Sequence, residues 1–200
     1  AREGQLWLVT GFIFFFNFSP SFGPALLFYQ TDALHFSQTF IGGLSTLSAA
    51  SAVIGAVIYA PLSRRLSLER LIVLAIGLAS VGTLAYLGYR GPVSAVVIDT
   101  LFGAAAMVTQ LAFLDLAARA CPARIEGTFF ALLMSVMNGA VQLSQNVGGR
   151  LYDHYGYVAL VLISASTTAL AWPLVPLIRI PALGGRARLE GPARLDRRGQ

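Results

Sequence analysis

Apolar residues fill this chain in six long stretches, roughly residues 5–31, 36–61, 71–88, 92–118, 127–147 and 157–178, joined by short connections. Each is about long enough for a helix to cross ~30 Å of hydrocarbon, which takes ~20 residues. A transmembrane β-barrel would need ~10-residue segments of alternating polarity, and these are absent. The pattern therefore predicts an all-α membrane protein, a six-transmembrane-helix bundle within residues 1–178. Residues 179–200 mix Arg, Gly and Pro with little apolar content, the composition of a flexible basic tail.

Breaks within the stretches sharpen this picture. Pro20, Gly23 and Pro24 interrupt the first, which predicts a kinked or broken helix. Such a break at membrane depth is tolerated where the freed carbonyls face protein or a water-filled cavity. Ser48, Ala52, Gly55 and Ala56 form a small-residue ridge along the second stretch, the surface that lets another helix approach closely. Pro173 and Pro176 are expected to bend the last one.

Composition excludes an ordinary soluble domain: 56% of residues are hydrophobic, 12% are charged, and mean hydropathy is +0.70. All 14 basic residues are arginines. With a cytoplasmic N-terminus, only Arg90 and Arg150 fall outside; Arg64, Arg65, Arg70, Arg119, Arg124 and the rest fall inside. The positive-inside rule then puts both termini in the cytoplasm of a multi-pass protein of an inner or plasma membrane. The net charge of +5 reads as orientation and contact with anionic lipid head groups, so the lipid bilayer is a partner and nucleic acid is not. Cys121 is the single cysteine, which excludes an intrachain disulfide, and it falls at a predicted cytoplasmic helix end where a reduced thiol is expected. Ala1 is not an initiator methionine, and the chain reads as a piece of something longer or as a processed one.

Polar groups inside the apolar stretches carry the candidate chemistry. Asp99 lies about seven residues into the fourth helix. A carboxylate there persists by facing a cavity, by pairing, or by taking up a proton. No basic residue lies one turn away on its own helix, which leaves proton coupling, substrate contact or an interhelical partner. Gly103, Ala106 and Gln110 share its face, as small and polar as a cavity wall. On the fifth helix Ser135, Asn138, Gln142, Gln145 and Asn146 fall within an arc of about 100°. Amides in hydrocarbon need partners; a stripe of three turns suits a solvated pathway, with dry interhelical hydrogen bonding the alternative. Asn17 and Ser21, beside the proline break, either face the same cavity or satisfy the broken backbone.

Asp115 precedes Arg119 by four residues, the spacing of a same-helix ion pair. Arg124 and Glu126, flanking the start of the fifth helix, suit either cytoplasmic gate ion pairs with Arg119 nearby or ordinary capping. His35 and His154 read as solvated loop residues, with no second histidine at ligand spacing. There is no nucleophile-elbow pattern, no HExxH helix and no phosphate-cradling loop. The reading is therefore of no enzyme, with no catalytic residue, metal or cofactor. A non-transporting membrane scaffold is the other class that fits; it would bury the fifth-helix stripe in dry contacts.

Six helices with both termini inside, and a basic loop between the second and third, resemble the C-terminal half of a major facilitator superfamily transporter. The run Gly55–Arg70 is similar to that superfamily's basic loop signature through Gly55, Arg64 and Arg65, with Tyr59 where an acidic residue is usual. The run Gln110–Ser135 resembles the signature of the folate–biopterin transporter family within it. The matching parts are Leu116–Arg119, Cys121-Pro122, Glu126–Thr128 and Phe130–Ser135. Pro20, Pro24, Phe28-Tyr29 and Leu34–Phe36 are similar too, and Asp115 departs from a usual proline. The resemblance implies a secondary active transporter of folate- or pteridine-like solutes with proton coupling, or a drug or metabolite efflux facilitator of the same superfamily. It further implies a partner, an N-terminal six-helix half preceding Ala1, or else pairing of two copies.

Overall fold

The computed structural model describes residues 2–121 and 126–178, and all regular structure in them is helical. Helix α1 (Arg2–Asn17) is followed after a break by short α2 (Gly23–Phe28), which widens into one π turn, Tyr29–Ala33. Helix α3 (Gln38–Arg65) and α4 (Leu68–Ala85) form a hairpin, and α4 tightens into a 3₁₀ turn at Tyr86–Gly88. Helix α5 (Pro92–Ala120) and α6 (Glu126–Ala169) complete the bundle, with a closing 3₁₀ segment at Trp172–Ile178. Four helical stretches are long and apolar enough to cross a membrane: Gln38–Arg65, Leu68–Gly88, Pro92–Ala120 and Gly127–Ile178. The tail after Ile178 lies outside the described residues.

Local chemistry explains the helix starts. The Ser37 hydroxyl accepts the Phe40 amide at 3.2 Å and the Ser67 hydroxyl accepts the Arg70 amide at 3.4 Å, each satisfying an otherwise orphaned N–H. Proline at the start of α5 lacks the N–H that would be orphaned there, and the Ser94 hydroxyl accepts the amides of Arg90 and Gly91, both at 3.0 Å.

Of the two expected forms, kinked or broken, the first apolar stretch takes the second, as two helices with a complete break between them. At that break the Ser21 amide donates to the Ser144 carbonyl at 3.2 Å, the Ser144 hydroxyl donates to the Ser19 carbonyl, and the Ser19 hydroxyl donates to the Ser164 carbonyl at 2.9 Å. The freed backbone groups are thus met by protein, and Gly148 leaves room for Ser21 to approach, since a Cβ there would fall on the Ser21 carbonyl. A difference from the pattern in the sequence lies between residues 147 and 157, expected as a connection. Helix α6 runs through it and breaks only at Gly156, whose φ of 76° is one that side-chain-bearing residues rarely adopt. Arg150, Asp153 and His154 are polar and exposed, but helical hydrogen bonds are local, so a polar surface does not by itself end a helix. Near the end of the sequence, Pro173 and Pro176 do more than bend a helix: α-helix stops at Ala169 and the chain tightens to 3₁₀.

The interior has two apolar clusters. One, toward the α3–α4 loop, joins Ile13, Ile72, Ile76, Phe113, Leu116 and Leu133 with Val175 of the closing segment. The other, toward the α4–α5 loop, gathers Phe22, Leu44, Tyr86, Tyr89, Tyr157 and Leu160. The exterior is apolar too, with Val53, Val57, Val93, Leu101 and Leu170 exposed, a surface suited to lipid.

The α3–α5 contact is the most extensive in the bundle, and the small-residue ridge lies in it. A Cβ on Gly55 would fall on the Ala104 carbonyl, and one on Gly103 would meet the Ser48 carbonyl and the Ser51 hydroxyl. We expect Gly103→Ala and Gly55→Ala each to destabilise the bundle by ~1–3 kcal/mol, the usual cost of overpacking. Gly77, whose Cβ would meet nothing within 4 Å, should tolerate alanine with no loss. Buried Cys121 supplies the readout, as the temperature at which its thiol becomes reactive in detergent.

Candidate functional site

The centre of the candidate site is Asp99 on α5, 7% exposed. The Tyr86 hydroxyl donates to one carboxylate oxygen and the Tyr89 hydroxyl to the other, both at 2.8 Å. The 3₁₀ turn that ends α4 makes this possible. Residues three apart eclipse one another in a 3₁₀ helix, so the Tyr86 and Tyr89 rings stack at 5.5 Å and 11° and reach the same carboxylate.

Neighbouring irregular segments complete the arrangement. Gln30 lies in the π turn, is buried, and donates its side-chain amide to the Tyr89 hydroxyl at 2.5 Å. Tyr29, beside it, stacks on Tyr157 at 4.2 Å and 1° and donates to the Tyr89 carbonyl at 3.3 Å. Tyr157, directly after the Gly156 break, donates to the Tyr86 carbonyl at 3.4 Å. Four tyrosines and Gln30 therefore wall off this end of the bundle. Hydrogen bonds to a charged acceptor are worth ~1.5–3 kcal/mol each, so the two hydroxyls are substantial compensation for the lost hydration of Asp99. Among the described residues Asp99 has no cationic partner; their ion pair is Asp115–Arg119.

Two cavities flank α5. The larger, about 610 Å³, has Asp99, Gln30, Ser45, Ser48 and Gln110 on walls that also include Leu26, Leu44, Phe102 and Met107. The smaller, about 370 Å³, is lined by Asn17, Thr109, Gln110, Asn138, Phe113 and Met137. Phe102, Ala106 and Gln110 belong to both, so Gln110 stands at the junction. The structure thus brings Asp99 and Gln110 to one cavity, and Gln110, Asn17 and Asn138 to the other. The Asn17 amide also donates to the Ile13 carbonyl at 2.8 Å in its own helix. Ser135 and Gln142 are exposed and line neither cavity; the Ser135 hydroxyl turns back to the Ala131 carbonyl at 3.0 Å.

At the opposite end, Arg119 meets Asp115 through Nε and an η nitrogen, both at 2.9 Å. The Tyr59 hydroxyl approaches the same carboxylate at 3.4 Å from α3. Tyr59 and Asp115, the two departures from the resembled patterns, are therefore in contact. Arg124 lies outside the described residues, as does the side chain of Glu126.

Sequence reasoning missed Tyr86, Tyr89, Gln30 and Tyr157. The available signal was a pair of tyrosines three apart at the end of an apolar helix, facing a helix with an unpaired acid. Gln30 carried no such signal, because its inward direction depends on the π turn.

The buried carboxylate lines a cavity within helices whose outer surface is apolar. Residues 1–180 match the BT1 family, and the chain belongs to that family. It is 31% identical over 195 residues to the folate-biopterin transporter of Synechocystis sp., covering 92% of this chain and 39% of that one. A protein of Arabidopsis thaliana named probable folate-biopterin transporter 4 is 33% identical over 129 residues, covering 60% of this chain and 26% of that protein. The chain thus spans about two fifths or less of the length of these relatives. Family and apolar helices together make it an integral membrane protein of a transporter family.

The tyrosine–carboxylate geometry carries its own prediction. Tyr86→Phe and Tyr89→Phe should each lower stability by ~1–3 kcal/mol. Each should cost much less in an Asp99→Leu background, where the acceptor is gone. The non-additivity, read in a double-mutant cycle from Cys121 exposure on heating, measures the coupling.

Proposed function

We propose that the chain is the C-terminal six-helix half of a major facilitator superfamily secondary transporter that moves a folate- or pteridine-like solute with proton coupling. The observation that carries this reading is Asp99, buried in the wall of the larger cavity with hydroxyl partners and no cation among the described residues. Such a carboxylate suits a proton or substrate-coupling group. The names of the relatives support the solute class.

In this reading Gln110, Asn138 and Asn17 line the path through the two cavities, with Gln142 and Ser135 on the same helix facing the other half. The division of α6 at Gly156 supports six crossings, taking α1 with α2 as the first. Arg119, Arg124 and Glu126 sit at the cytoplasmic end as gate residues, with Asp115 holding Arg119. The arginine asymmetry supports cytoplasmic placement of both termini. A partner half of six helices is needed, since two such halves surround a midplane site and rock about it. The share of the relatives that the chain covers is compatible with that half lying elsewhere in the parent protein.

The test is uptake of radiolabelled folate and biopterin into vesicles holding the full-length parent protein. Uptake should require a pH gradient and fall at least about tenfold, ~1.4 kcal/mol, with Asp99→Asn. If neither pteridine moves, the solute class is wrong. If the variant keeps full pH-dependent uptake, Asp99 is structural. A companion measurement addresses the path: cysteines placed at Asn138 and Gln142 should react with a charged, membrane-impermeant thiol reagent, and protection of both would place the stripe in dry interhelical contacts instead.

A further inference from the structure

We propose that Asp99 reads the hydrogen-bond donor edge of a planar aminopyrimidinone ring, so that the solute enters the larger cavity ring-first and its tail points toward Gln110. The inference rests on the pteridine reading above and adds to it an orientation and a specificity determinant.

The argument starts from lone pairs. A carboxylate offers about four acceptor positions. The Tyr86 and Tyr89 hydroxyls take one on each oxygen, which leaves acceptor capacity on both oxygens of a group that lines the cavity. Two oxygens side by side match two parallel N–H groups, the pairing that makes bidentate contacts with carboxylates strong. In pterin the ring N–H and the adjacent exocyclic amino group present such a pair. An anionic tail would instead meet like charge, and no described cation lies on Asp99 to reverse this.

The surroundings fix the plane of the carboxylate. Both hydroxyls come from one 3₁₀ turn, and the Tyr89 hydroxyl is itself held by the Gln30 amide at 2.5 Å. Tyr86 and Tyr89 are thus positioning residues, acting on the solute through Asp99. An acceptor held by a rigid second layer selects among ligands instead of adapting to them. The apolar side chains of Phe102, Leu44 and Met107 on the same walls suit the faces of a flat ring.

Pterin and lumazine, which replaces the exocyclic amino group by a carbonyl, are the probes. In vesicles of the full-length protein, pterin should inhibit folate uptake at least about tenfold more strongly than lumazine, because the carbonyl brings a second acceptor against the carboxylate. Asp99→Asn supplies one donor and one acceptor, so it should erase or invert that preference in whatever binding remains. Tyr89→Phe, which keeps the ring, should shrink the preference while pterin still binds. Equal inhibition by the two probes in the unaltered protein, or a preference that survives Asp99→Asn, overturns the inference and leaves the transport reading standing. Folate uptake that neither probe inhibits also overturns the inference alone. No uptake or binding of any pteridine in the unaltered protein overturns both.

Discussion

The two tyrosine hydroxyls on Asp99 are the interaction on which the α4–α5 end of the bundle depends. An acidic side chain at the middle of a membrane helix costs about 2.5–3.5 kcal/mol on insertion scales, an upper bound for Asp99, which lies nearer the start of α5. Two hydrogen bonds to a charged acceptor, at ~1.5–3 kcal/mol each, are of the same size. The carboxylate can therefore be held inside the protein with no cation beside it among the described residues. The arrangement needs both donors on one side, which requires Tyr86 and Tyr89 to be brought into line by a 3₁₀ turn.

Irregular backbone gathers around that carboxylate. The break after α1 is joined to Ser144, Ser164 and Thr168 of α6. The π turn delivers Gln30, the 3₁₀ turn delivers Tyr86 and Tyr89, and the Gly156 break delivers Tyr157. Non-helical backbone at membrane depth survives only where protein or a cavity meets its freed groups, and backbone groups of the α1–α2 break and of the turn at Tyr86 and Tyr89 are met in that way. The α3–α4 loop end is built differently, from regular helix, an apolar cluster and the Asp115–Arg119 pair with Tyr59 against it.

What was legible in the sequence follows the same division. Helical, membrane-spanning character, the break at Pro20–Pro24, the small-residue ridge and the Asp115–Arg119 spacing are all periodic or local features, and each could be read from neighbours along one helix. Asp99 stood out because a charge in an apolar run is costly whatever surrounds it. The residues behind its tyrosine partners did not, because Gln30 and Tyr157 owe their direction to a π turn and a kink, and neither has a pattern of its own. The polar stripe on α6 was only partly legible. Asn138 lines a cavity, Gln142 and Ser135 do not, and Ser144, which holds the α1–α2 break, lies outside the arc of the stripe on a helical wheel.

The tight α3–α5 contact bears on the site as well as on stability. Gly103 lies four residues after Asp99 on the same helix, and it is held against Ser48 and Ser51 of α3 so closely that no Cβ fits between. Ser48 also lines the larger cavity with Asp99. The contact that fixes the distance between the two helices therefore also sets the width of the cavity beside the carboxylate. A methyl group at Gly103 would push α3 and its serines away from Asp99, and the walls flanking the carboxylate would separate while the tyrosines stayed in place. The ring recognition proposed for Asp99 would need both features at once, a carboxylate with a fixed plane and walls at a fixed spacing. The first is supplied by the turn at the end of α4. The second is supplied by the absence of a side chain at Gly103.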